Sequence, residues 1–154
     1  MRSVGVSMLP IPELLLRLID SGVWPSSNGP SMTQQQLKPL FTEENVRRFA
    51  KEESLICLQP PPFPTVASER DAGGAADFWE RFGALHQIDP KMAVIIGDFG
   101  LGSDAPIVLD YSRNDVDPPV IRLRWGPNQK NEWVQGAQNF REFASMLGLA
   151  DEIA

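Results

Sequence analysis

Apolar and polar residues alternate with a period of two in VIRLRW, placing Ile121, Leu123 and Trp125 on one side of an extended chain and Arg122 and Arg124 on the other. Ile107, Leu109 and Tyr111 alternate in the same way with Val108 and Asp110. Short apolar runs add strands over 93–96 and 55–58, and the turn-forming GPNQKN leads into another over 132–134. Helical signals lie mostly upstream. Pro12 opens a leucine-rich helix over 12–20, apolar almost all round and therefore expected to be docked, with Gly22 just beyond it. A second helix runs to Glu53 with Thr42 as its cap, Phe41 stapled on Val46, and Glu43 and Glu44 at its positive end. A third covers 75–85, with Phe78, Trp79 and Phe82 on one face and Gly83 near its end. The last starts at Asn139, uses Glu142 in a capping box and stops at Gly148.

Helices first, then hairpin-connected strands, then one helix predict an α+β fold: a mainly antiparallel sheet packed against helices on one face, with a helical N-terminal half and a C-terminal helix. The polar stretch WPSSNGPSMTQQQ over 24–36 predicts a loop. It divides an N-terminal helical appendage with its loop, residues 1–39, from a main domain over 40–154.

Composition narrows the partners. Twenty Asp and Glu against 14 Lys and Arg leave a net charge of −6, which repels nucleic acid and favours a basic partner or plain solubility. The single cysteine, Cys57, cannot close an internal disulfide, and its apolar setting LICL predicts burial as a small hydrophobe. Pro10, Pro12, Glu13 and Arg17 interrupt the N-terminal apolar stretch, so neither a signal peptide nor a membrane span is expected and the expected location is cytoplasmic.

The richest candidate for chemistry is IGDFGLGSDAPIVLDY, residues 96–111. A phosphate loop needs a lysine after its glycines, and none follows. A dinucleotide fingerprint should open a helix, whereas Pro106 and IVL predict a strand. Asp98-Phe99-Gly100 matches the kinase tripeptide without the catalytic loop or lysine strand that accompany it. Asp98, Asp104 and Asp110 offer oxygens for calcium or a small ligand, at spacings unlike those of an EF-hand. The plainer reading is a hairpin turn in which Gly97, Gly100 and Gly102 permit positive φ and Asp98, Ser103 and Asp104 bond nearby backbone.

Elsewhere, His86 is the sole histidine, the Gly-x-Ser-x-Gly elbow is absent, and one His with one Cys cannot complete a zinc set. His86 follows the third helix, where it would meet the negative end of the dipole. Paired carboxylates are too numerous to single out one pair. Trp79, Trp125 and Trp133 suit either stacking on sugars or bases or, more simply, the core. No catalytic residue, metal site or cofactor is therefore expected.

The ordered motifs IGDFGLGSDAPIVLDY, PPVIRLRW and EWVQGAQNFREFASMLGL, preceded by LQPPPFPTVA and DFWERFGALHQIDP, resemble the SUKH superfamily over residues 40 to 149. That group includes yeast cell-wall-assembly regulators and many bacterial proteins. The resemblance implies an α+β module without a catalytic centre. Bacterial members of this kind serve as immunity proteins that bind and neutralise a secreted toxin, and others as scaffolds. It implies a non-enzymatic interaction module with a protein partner, a basic toxin among the candidates. Acidity would then speed association with such a toxin, through a patch combining Asp98 and Asp104 in the turn with Asp115 and Asp117 in RNDVDPP.

Overall fold

The computed structural model describes residues 9–25, 32–33, 43–53, 56–71, 76–99, 105–127 and 130–149. Among the described residues, six strands form one antiparallel sheet in sequence order: β1 (Met32–Thr33), β2 (Cys57–Leu58), β3 (Ala93–Asp98), β4 (Pro106–Asp110), β5 (Val120–Arg124) and β6 (Glu132–Ala137). The helices are α1 (Glu13–Asp20), α2 (Glu43–Phe49), α3 (Val66–Asp71), α4 (Ala76–Phe82) and α5 (Phe140–Met146). Short 3-10 turns at Leu85–Gln87 and Pro90–Met92 link α4 to β3. The architecture is α+β.

The period-two reading of 121–125 holds in register: Leu123 pairs with Trp133, and Arg122 with Val134. The expectation of helices on one sheet face does not. Trp133 Nε1 donates to the Gly83 carbonyl at 2.8 Å, and Phe82 meets Trp125 edge-on at 5.6 Å, so α4 covers the Leu123 face. The Phe49 ring of α2 lies against Gly136, two residues along β6 from Val134, and packs on Phe143 of α5 at 4.9 Å. Helices therefore cover both faces, which explains why every residue of β4 is buried.

α1 is docked, as its leucines predict. Leu14, Leu15 and Leu18 are buried while Leu16 stays exposed, and at about 1.5–3 kcal/mol per buried leucine this contact offsets the weak intrinsic stability of eight helical residues. Pro12 is the N-cap rather than the first helical residue, and Gly22 beyond the end takes φ +83°. The 24–36 stretch is not all loop. Trp24 is fully buried, its Nε1 donates to the Gln59 carbonyl at 2.8 Å, and its ring meets Phe140 at 5.7 Å. Met32 and Thr33 pair with Leu58 and Cys57. Thus α1, Trp24 and β1 share the core and sheet of the rest of the chain.

The Thr42 cap and Phe41 staple lie outside the described residues. At α5 the Asn139 side chain accepts from the Glu142 N–H at 2.9 Å, and Glu142 reaches back to the Gln138 N–H rather than to that of Asn139. α3 has no counterpart in the sequence reading. It begins with reciprocal bonds, Ser68 N–H to Thr65 Oγ1 and Thr65 N–H to Ser68 Oγ, in a helix too short to show a hydrophobic period. Among the described residues, no helix is long and apolar enough to cross a membrane.

Candidate interaction site

The glycine-rich stretch joins β3 to β4, as its turn reading predicts, and the Phe99 N–H donates to the Ala105 carbonyl at 3.1 Å to close the connection. Gly100, Gly102, Ser103 and Asp104 lie outside the described residues. Gly97 is present for a different reason from the one expected. Its φ is not positive; a Cβ there would sit 2.8 Å from the Cys57 carbonyl, so the glycine allows β2 and β3 to approach. Phe99 is core: 1% exposed, packed on Phe49 at 6.2 Å and under the Arg122 guanidinium at 5.8 Å.

Of the acidic residues singled out, Asp98 is half-buried at the end of β3, opposite Pro106. Asp110 is four residues along β4 from Pro106, about 13 Å at the usual strand rise. The sheet therefore does not bring Asp98 and Asp110 together around one ligand. Asp110 is also already engaged: Oδ1 accepts from the Ser112 N–H at 3.1 Å and the Ser112 hydroxyl at 2.6 Å, and Oδ2 pairs with Arg113 Nε at 2.9 Å. Among the described residues, no group of three His, Cys, Asp or Glu could hold a metal ion. Burial first, and then the neighbouring Asp98 carboxylate, push the half-buried Cys57 thiol up, which disfavours the thiolate.

Asp115 and Asp117 belong to the β4–β5 connection at the Asp110 end of the sheet, away from Asp98. This connection is built tightly. At its base the Asp110 N–H donates to the Pro119 carbonyl at 3.0 Å. In its middle Asn114 Oδ1 accepts from the N–H groups of both Val116 and Asp117 at 2.9 Å, an Asx turn that fixes the backbone. On its far side Asp117 Oδ2 accepts from Asn139 Nδ2 at 3.0 Å, tying the loop to the cap of α5. Asp115 is left pointing outward beside Val116, which is 88% exposed. A cleft of about 480 Å³ adjoins the loop, lined by Asp89, Met92, Tyr111 and Asp115 among others.

Val116 carries no signal in the sequence, because no pattern distinguishes a valine at a loop tip from one entering a strand. Asn114, two residues ahead of it, is the signal that identifies the turn. Trp79 and Trp133 are buried and so belong to the core, while Trp125 remains 39% exposed. His86 lies in the Leu85–Gln87 turn, beyond the end of α4 at Phe82, and not in the last helical turn.

Comparison of the chain with protein-family models, with curated proteins and with solved structures finds no match.

Proposed function

We propose that this chain is a non-enzymatic protein-interaction module, a cytoplasmic bacterial protein of the immunity type that binds and neutralises a basic toxin through the β4–β5 loop. The observation that carries this reading is the Asp115-Val116-Asp117 tip, a bare apolar side chain between two carboxylates on a loop whose backbone is held by Asn114 and whose Asp117 carboxylate is tied to Asn139. An exposed valine on a loop already held in place offers a partner an anchor whose ordering cost is already met. The net charge of −6 supports a cationic partner by steering its approach, and the resemblance to the SUKH superfamily supports binding over catalysis.

The test is association kinetics with the toxin encoded beside this chain's gene. Size exclusion should give a complex and the toxin should lose activity. Asp115→Lys with Asp117→Lys should slow association roughly tenfold and flatten its salt dependence, and Val116→Ser should speed dissociation. An active toxin with no complex would count against that partner; unchanged rates for both variants would remove the loop from the interface.

A further inference from the structure

We infer that a second cleft, at the opposite end of β5 from the β4–β5 loop, binds a small oxyanion of the phosphate class. The cleft lies between the end of α4, the Leu85–Gln87 turn and the chain entering β6. Its volume is about 430 Å³, and its lining includes Arg81, Ala84, His86, Gln87, Lys130 and Asn131. That size suits a small ligand.

The charge is the first observation. In a chain with more acids than bases, Arg81 from α4, whose guanidinium lies 5.3 Å from the centroid of the Phe82 ring, and Lys130 from the β5–β6 connection line one cavity, and His86 adds an imidazole. Glu80 is the single acidic residue among those lining it. Two carbonyls at this helix end already have donors from the protein itself: the Phe82 carbonyl accepts from Asn131 Nδ2 at 2.9 Å and the Gly83 carbonyl from Trp133 Nε1 at 2.8 Å.

Rigidity is the second. Asn131 is 7% exposed, and its Oδ1 also accepts from the Gly126 N–H at 3.1 Å. Gln87 Oε1 accepts from the Trp133 N–H at 2.8 Å, and Gln87 Nε2 donates to the Asn131 carbonyl at 3.3 Å. These two amides fasten the turn, the end of α4 and the chain entering β6 to one another, so the backbone that carries Arg81, His86 and Lys130 is fixed without a ligand.

Strain is the third. Ala84 in the cleft wall has φ 48° and ψ 46°, the left-handed region that costs a residue with a Cβ about 1–2 kcal/mol. The preceding Gly83 cannot take over that role, because it serves close packing: a Cβ on it would lie 2.6 Å from the Trp79 carbonyl. Strain held at a cavity by an over-determined frame is the pattern of a ligand site. The cleft and the proposed toxin-binding loop share no residue, so either reading can fail alone.

The experiment is a titration of the isotope-labelled full chain with inorganic phosphate, followed by amide shifts, against sodium chloride of matched ionic strength and against acetate. Saturable shifts at His86, Gln87 and Asn131 are expected from phosphate and not from chloride. Arg81→Gln with Lys130→Gln, both at exposed positions, should weaken binding by about tenfold or more while the remaining amide spectrum stays in place. Linear shifts, shifts that chloride reproduces, or a double variant that binds as well as the parent would overturn the site. Tighter binding of acetate would overturn the phosphate assignment.

Discussion

Arg122 and Glu52, seventy residues apart, form a two-pronged ion pair, with Nη1 to Oε2 at 2.7 Å and Nη2 to Oε1 at 3.0 Å. The arginine is 7% exposed and the glutamate 43%, so the pair closes the margin of the α2 face with its cationic half inside. The two halves are therefore unequal. Glu52→Ala strands a buried guanidinium and should cost about 2–3 kcal/mol, whereas Arg122→Met fills the same space and leaves a carboxylate that water can reach, costing less than about 1 kcal/mol. Urea unfolding measures both. The hydrogen bond from Arg122 also holds the Glu52 carboxyl below its ordinary value of 4.5. Its folded pKa is depressed, so the pair's contribution is present above pH 4.5 and is lost as pH falls from there through the folded value. Glu52→Gln should flatten that part of the acid unfolding profile.

Tyr111 is the sole tyrosine, and its hydroxyl donates to the Pro10 carbonyl. Burial pushes its pKa up from 10.0 to about 12. An acid whose folded pKa is raised stabilises the fold fully below pH 10 and loses that contribution as pH climbs toward about 12. Ultraviolet titration of the tyrosinate should place its midpoint well above that of the urea-unfolded chain. Tyr111→Phe should cost about 1 kcal/mol by removing the bond to the segment before α1. Equal midpoints in the two states would contradict the burial.

Gly136 permits the approach of α2 to β6. A Cβ there would meet the Phe49 ring at 2.3 Å, and that ring is held between Phe99 and Phe143. Gly136→Ala should cost about 1–3 kcal/mol through overpacking. Gly136→Ala combined with Phe49→Leu should recover part of the loss, which a thermal melt can read.

Ala84→Gly should act in the opposite direction. Glycine takes the left-handed conformation without steric cost, and the relief exceeds the entropy it adds to the unfolded chain, so a gain of about 0.5–1 kcal/mol is expected. Ala84→Val should destabilise, because a β-branched residue fits that conformation least well.

By itself the sequence determined what depends on neighbours a few residues away. The alternation in 121–125, the Asn139 cap, the stop at Gly148 and the turn after β3 are such features, since side-chain periods and capping bonds act within one or two turns of chain. Tertiary structure decided the rest, because those outcomes depend on atoms brought together from far along the chain. Arg122 was legible as a residue opposite Ile121 and Leu123; that it would be buried required α2 to deliver Glu52 and Phe49 over it. Gly97 reads as a turn-permitting glycine until Cys57 arrives beside it, and the need for glycine at 136 appears only once Phe49 is in place. Asp98 and Asp115 carry the same charge, but the extended rise of β4 places them at opposite ends of the sheet. Arg81 and Lys130 share a cleft only because Asn131 bonds to Phe82, a contact across 49 residues.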